Sequence, residues 1–248
     1  MIKATIQKIL NSMGYDVVRM ATNFSAEELS VMERVKGLTA TGPGRIVGLM
    51  DAVKYITANR VPGAILECGV WRGGSVMAAL YTLASLGDTS REIYLCDTFE
   101  GMSPPSEKDV MFDGTKAESV LTGVEKQEGV DNYWCFAGVE SVRQNVLKTG
   151  YPAAKLHFVK GKVEDTIPAG APAQIALLRL DTDWYESTKH EMEHLYPRLA
   201  NNGVLIIDDY GHWKGARQAV DEYFAAQGFR PLLSRLDYTG RMMVKSRV

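Results

Sequence analysis

Five short apolar runs decide what this chain can fold into. They are GAILECG at 63–69, EIYLCD at 92–97, KLHFVKG at 155–161, QIALLRLD at 174–181 and GVLIIDD at 203–209. Each is rich in Ile, Leu and Val and bounded by Gly, Pro or charge, which is how a strand buried on both faces of a parallel sheet reads. Amphipathic stretches lie between them, STKHEMEHLYPRL at 187–199 and KGARQAVDEYFAAQG at 214–228, with Gly228 placed as a C-cap. Strands alternating with helices predict a doubly wound α/β sheet. Two last runs, PLLSRLD at 231–237 and GRMMVKS at 240–246, flank Tyr238 and Thr239 and predict an antiparallel hairpin.

The rest of the chain is arranged around that sheet. Ser25 and Glu28 form a capping box ahead of ELSVMERV, and RIVGLMDAVKYITANR at 45–60 has helical periodicity. Residues 1–60 are therefore expected to be a helical extension that covers an active site or builds a dimer contact. Residues 61–248 form one α/β domain, a size common for that class. Residues 100–135 carry Pro104, Pro105, many acids, Tyr133 and Trp134, and a connection that long is a functional lid or disordered. The formal net charge of -2 gives no reason to expect nucleic acid or an anionic membrane as partner. No window is apolar for long enough to span a bilayer, and MIKATIQKIL lacks the apolar core and cleavage site of a signal peptide. Cys68, Cys96 and Cys135 have no CxxC or metal-ligand spacing, so free thiols in a reducing, cytoplasmic compartment are expected.

Three motifs carry chemistry. In E67-C-G-V-W-R-G-G-S75, Gly69 lets the chain turn at the strand end, and Gly73 and Gly74 open the next helix close to a ligand. A tight strand-to-helix turn explains those glycines equally well. Glu67 and Arg72 tilt the segment toward cofactor binding, because charges in an apolar strand persist mainly when paired or functional. Asp97 ends the second run, where a carboxylate accepts the ribose hydroxyls of a nucleoside cofactor, or simply caps the following turn. Thr98 beside it and Val163, after the third run, are counted among the cofactor contacts.

The third motif separates cofactor types. The fourth run ends L-D181-T-D183-W-Y, and the fifth ends I-I-D208-D209-Y. Carboxylates converging at adjacent strand ends need protons or a cation, and oxygen ligands without His or Cys suit a hard ion such as Mg²⁺. Such an ion would acidify a substrate hydroxyl and leave Asp183 free to take its proton, whereas a dehydrogenase has no use for the cluster. Helix capping explains two of these acids but hardly four. His212, just after the fifth run, is a candidate second base or substrate contact, or an ordinary loop histidine.

With these motifs the chain resembles the TylF/MycF (macrocin O-methyltransferase) family. The residues that carry the resemblance are T39-A-T-G-P-G-R45, ILECGVWRGGS, CDTFEGM, LRLDTDWYEST and IIDDYGHWKGARQAVDEY, which together span nearly the whole chain. The resemblance implies a seven-stranded, mostly parallel, Rossmann-like class I methyltransferase sheet and a homodimer or larger assembly. It implies S-adenosylmethionine held by Glu67, Ser75 and Asp97, with Thr41 closing over it. It also implies Mg²⁺ on Asp181, Asp208 and Asp209, Asp183 as general base, and a hydroxyl of a small natural product, a sugar above all, as acceptor. Where the family tends to have Thr-Met-Thr-Ser-Pro-Glu, this chain has Thr39-Ala-Thr-Gly-Pro-Gly44, with smaller side chains beside the cofactor or acceptor. A catechol-type O-methyltransferase and a non-catalytic cofactor-binding protein are the competing readings.

Overall fold

In the computed structural model, which describes residues 2–13, 15 and 23–246, the apolar runs form one seven-stranded sheet. The strands are β1 (Ala64–Cys68), β2 (Ile93–Asp97), β3 (Leu156–Lys160), β4 (Ile175–Leu180), β5 (Leu199–Ile207), β6 (Ser234–Arg235) and β7 (Arg241–Val244). Their order is β3-β2-β1-β4-β5-β7-β6; β1 to β5 run parallel, and β7 is antiparallel to both β5 and β6. The chain winds outward from β1 through β3, then returns to β4 on the other side. The carboxyl ends of β1 and β4 therefore flank the switch point at which open α/β sheets bind ligands.

The helices are α1 (Ile2–Ser12), α2 (Ala26–Val35), α3 (Pro43–Ala58), α4 (Gly74–Ser85), α5 (Ala117–Leu121), α6 (Val139–Leu147), α7 (Val163–Thr166), α8 (Tyr185–His194) and α9 (Lys214–Ala226). Side chains alternate across a strand, and this alternation divides each apolar run between two cores. Ile65, Leu177, Val204 and Ile206 join α3 and α4 residues such as Leu49 and Leu80 in one layer. Leu66, Leu178, Leu205 and Ile207 join Met192 of α8 and Phe224 of α9 in the other. With both faces covered, a continuous apolar run is what such a strand requires. Truncating a fully buried Leu178 to Ala would cost about 2–5 kcal/mol.

The same alternation has a consequence for charge. Glu67, Arg179 and Asp208 each lie two residues beyond Ile65, Leu177 and Ile206, so they share the face that α3 covers. Register brings Glu67 directly opposite Arg179.

Several boundaries differ from the sequence expectation. The helix expected at 187–199 stops at His194; a 3-10 turn through Pro197 follows, and β5 starts at once at Leu199. β5 is longer than its apolar run because it begins with Leu199 paired to Ile175 and crosses an irregularity before Val204 pairs with Leu177. The final hairpin is shorter than expected. Asp237 captures the amides of Thr239 and Gly240 with one carboxylate oxygen, which opens a wide turn over 236–240. The capping box forms as expected, with Ser25 accepting from the Glu28 amide and Glu28 accepting from the Ser25 amide. Residues 100–135 are packed: Met111, Ala117 and Leu121 form a third apolar cluster with Trp184, Trp213 and Ala216. No helix among the described residues is long and apolar enough to cross a membrane.

Candidate active site

A cleft opens at the carboxyl ends of β1, β2, β4 and β5. One side is built from the glycine turn after β1. Gly69 sits at φ +81°, and a Cβ there would stand 1.8 Å from the Asp181 carbonyl oxygen, so no other residue fits the strand crossing. The Gly74 amide donates to the Leu38 carbonyl at 2.9 Å, which docks the segment before α3 onto the turn. That contact sets Thr39 and Thr41 beside Ser75, whose Oγ lies 3.2 and 3.3 Å from their hydroxyls.

Asp97 organises this side. Its carboxylate accepts from the amides of Val70 (2.6 Å), Trp71 (3.1 Å) and Phe99 (2.7 Å). A carboxylate offers about four lone-pair positions, so three are committed to backbone. The Thr98 hydroxyl is nearer to Gly101 O, at 2.8 Å, than to Asp97, at 3.3 Å. Asp97 lines the cleft, where its remaining acceptor capacity would meet a ribose hydroxyl. Burial raises the pKa of Asp97, and the three amides oppose that shift.

Thr41, Gly69, Ser75, Asp97, Thr98 and Val163 all line the cleft; Glu67 and Arg72 lie behind it. Glu67 is buried under Arg179, and burial pushes its carboxyl up to about 8 against the pull of that guanidinium. Arg72 donates to Gly37 O at 2.8 Å and Gly129 O at 2.6 Å, joining the N-terminal segment to the 100–135 segment. The two charges that the sequence marked as functional are thus paired behind the wall, because their long side chains find partners there.

The other side carries the acids. Asp181, Asp208 and Asp209 each present an oxygen within 4.8 Å of the others, the one such group of three or more among the described residues. Two arginines, which the sequence reading passed over, compensate part of this charge. Arg179 donates to Glu67 at 2.9 Å, Asp181 at 2.7 Å, Asp208 at 2.5 Å and the Thr41 hydroxyl at 2.8 Å. Burial works to lower Arg179, but the charges of Asp181 and Glu67 prevail and hold it above its usual value. Arg45, from the first turn of α3, ion-pairs with Asp208 and reaches Asp237 at 2.9 Å. A charged residue in a fully buried strand, LLRLD, was the available signal for Arg179, since it obeys the argument applied to Glu67.

Asp183 and Asp209 are left without a paired cation. Burial first, and the charge of Asp181 second, push Asp183 up to about 7, while hydrogen bonds from Asp209 and Trp213 pull the other way. Asp209 rises well above the usual carboxylate range, through burial and then the charges of Asp183 and Asp181. Neither carboxyl forms an ion pair, so apart from the pull of Arg45 their charges stay uncompensated among the described residues. His212 lines the same cleft, with Nδ1 3.2 Å from the Tyr238 hydroxyl. Burial and nearby Arg45 hold it below its ordinary value, so it is a neutral imidazole at pH 7.

A profile of the macrocin-O-methyltransferase (TylF) family matches residues 16–245. A tetracenomycin-type rhamnosyl 4'-O-methyltransferase from Streptomyces olivaceus is 35% identical, over 82% of this chain and 73% of its own. The mycinamicin III 3''-O-methyltransferase of Micromonospora griseorubida is 32% identical, over 82% and 76%. Among solved structures, the O-methyltransferase NovP superposes with a TM-score of 0.72 at 27% identity, over 99% of this chain and 98% of that one. The cleft at the switch point and these relatives agree: the chain belongs to the TylF (macrocin-O-methyltransferase) family and is an S-adenosylmethionine-dependent O-methyltransferase.

Proposed function

We propose that the enzyme transfers a methyl group to a hydroxyl of a small natural product, a sugar moiety above all, with a divalent cation, Mg²⁺, at the acidic end of the cleft. The observation that carries the metal is the pair Asp183–Asp209. Both carboxyls are pushed up by burial and by neighbouring acids, and Asp181, Asp208 and Asp209 present an all-oxygen donor set whose oxygens lie within 4.8 Å of one another. A hard divalent ion on those three residues supplies the missing positive charge and lowers the pKa of a hydroxyl bound to it. S-adenosylmethionine supplies the methyl group as an electrophile.

The protein's own residues do the remaining work. Ser75, Thr41, Thr98, Asp97 and Val163 bind the donor along the glycine turn. Glu67 acts from behind the wall by holding Arg179, and Arg72 by tying the 100–135 segment down. Asp183, with its carboxyl pushed up to about 7, is matched to accept the hydroxyl proton near neutral pH as the methyl carbon is attacked. His212, in the turn after β5 beside Tyr238, orients the acceptor. Residues 1–60 cover the donor through Thr39 and Thr41, and α1, with Ile6 and Ile9 half exposed, is the surface we assign to a second copy of the chain. The sugar assignment rests on the relatives, one of which is named for methylating a rhamnosyl-bearing tetracenomycin and another for methylating mycinamicin III at a 3'' oxygen.

Two probe acceptors, methyl α-L-rhamnopyranoside and catechol, incubated with S-adenosylmethionine and either Mg²⁺ or EDTA, test the reading. Methylation of the rhamnoside that stops in EDTA is expected. Turnover surviving in EDTA would remove the metal, and a preference for catechol would replace the sugar by a phenol.

A further inference from the structure

The helices that flank the acids begin without caps of their own. Trp184 is the N-cap of α8 and Trp213 the N-cap of α9, and neither makes a side-chain capping bond. Indole carries no acceptor, so the first amides of both helices need a partner from elsewhere. For α8 that partner is Asp109, in the middle of the 100–135 segment.

Asp109 is 1% exposed. Its Oδ1 accepts from the Tyr185 amide at 2.7 Å, the first residue of α8 and two beyond Asp183. Its Oδ2 accepts from the amide and hydroxyl of Ser106, at 2.6 and 2.8 Å, which keeps the carboxylate oriented. α9 makes room for it: a Cβ on Gly215 would lie 2.5 Å from Oδ1. The surrounding segment grips the same two helix starts. The Trp184 indole donates to Ser103 O at 2.9 Å, Lys214 N donates to Val110 O at 2.8 Å, and Phe112 N donates to His212 O at 2.9 Å.

Asp183 stands at φ +65°, a left-handed conformation that a non-glycine residue holds only when its surroundings impose it. Behind it, the Trp184 amide closes a tight turn onto Thr182 O at 2.7 Å. Ahead of it, Trp184 and Tyr185 are both fixed by the 100–135 segment. We propose that Asp109 is a positioning residue: it caps α8 from the lid, so that seating the lid over the cleft and setting Asp183 in its left-handed conformation are one event. The segment then admits the acceptor when lifted and completes the site when seated. This rests on the reading of Asp183 as the base.

The test compares Asp109→Ala, Asp109→Asn and Gly215→Ala in the full-length protein saturated with S-adenosylhomocysteine and Mg²⁺ for hydrogen exchange. Turnover of methyl α-L-rhamnopyranoside is followed with saturating S-adenosylmethionine. In Asp109→Ala the Tyr185 amide exchanges about tenfold faster or more, the value of a lost bond to a carboxylate, while β4 and β5 stay protected. Turnover falls roughly 10²-fold with the donor KM unchanged, a split that general destabilisation would not give. Asn keeps an oxygen for the Tyr185 amide but turns its NH2 toward the Ser106 amide, donor against donor, so it restores both readouts only in part. Gly215→Ala crowds the Asp109 carboxylate first and the Lys108 carbonyl and Tyr185 Cβ less closely, and repeats the loss. If Asp109→Ala does not fold, the partial loss in Asp109→Asn decides. Exchange alone decides if the rhamnoside is not turned over. Unchanged exchange at Tyr185, or full turnover in Asp109→Ala while Asp183→Asn is inactive, overturns the latch and leaves the base. Full turnover in Asp183→Asn overturns the base and the latch with it.

Discussion

The two sides of the cleft are held by different physics. On the β1–β2 side, the backbone amides of Val70, Trp71 and Phe99 converge on Asp97, so that carboxylate is fixed by residues within about thirty positions of it. On the β4–β5 side, the acids are held by Arg45 and Arg179, from α3 and the sheet interior, and the helix that follows Asp183 is capped by Asp109 of the 100–135 segment. The first side is local and nearly neutral. The second is assembled from distant segments and carries unbalanced negative charge. A donor that stays the same across many methyl transfers suits the first arrangement, and deprotonating an acceptor needs the second.

The largest effect that would sharpen this contrast is in turnover. Asp183→Asn should lower kcat by about 10²–10⁴, the range for losing a general base, with S-adenosylhomocysteine affinity measured by calorimetry unchanged. Equal losses in both would merge the two sides into one.

Arg179→Met comes next. It leaves Glu67 and Asp181 without their guanidinium in a buried site, at a cost of about 3–5 kcal/mol in urea unfolding. The pH dependence has a definite sign. Glu67 already has its folded pKa raised from 4.5 to about 8, so its favourable contribution belongs to the protonated form. That contribution is complete below 4.5 and is lost as pH rises through about 8. Removing Arg179 raises the Glu67 carboxyl further, so the variant goes on losing stability above about pH 8, where the unaltered protein stops. Its deficit is level in acid and grows only above about pH 8. A deficit independent of pH would break the electrostatic account of this side.

Gly69→Ala probes the seam between the two sides, where the Cβ would meet the Asp181 carbonyl. It should lower stability by about 1–3 kcal/mol through overpacking, beyond the cost of the positive φ, and weaken donor and metal binding together. His212→Gln is the smallest. A neutral imidazole that orients the acceptor should change kcat by less than about tenfold, read at saturating acceptor, below the range of a general base.

The sequence was legible where structure is local or periodic. The apolar runs gave the five parallel strands because both faces of each are covered, and Gly69, Ser75 and Asp97 were findable because a strand-turn-helix motif keeps its parts together. The ends of elements were less legible. β5 reaches back to Leu199 across an irregularity that has no apolar signature, and the final hairpin is shortened by Asp237, whose role depends on amides in its own turn. The acids at 181, 183, 208 and 209 could be placed at one sheet edge, but not their partners. Arg45 lies 163 residues from Asp208, and Asp109 lies 76 from Tyr185. No spacing rule connects such pairs. The period of two could have placed Arg179 on the face of Glu67, had its charge been weighed in the same way.

The central claim is that Asp181, Asp208 and Asp209, whose charge Arg45 and Arg179 offset only in part, hold a divalent ion. The direct measurement is calorimetric titration of Mg²⁺ into the protein saturated with S-adenosylhomocysteine, for the unaltered chain and for Asp209→Ala. One saturable Mg²⁺ site per chain, lost in the variant while S-adenosylhomocysteine still binds, is the result predicted here. No saturable site in the unaltered chain, or the same site in Asp209→Ala, would contradict it and leave Arg45 and Arg179 as the charge compensation of these acids.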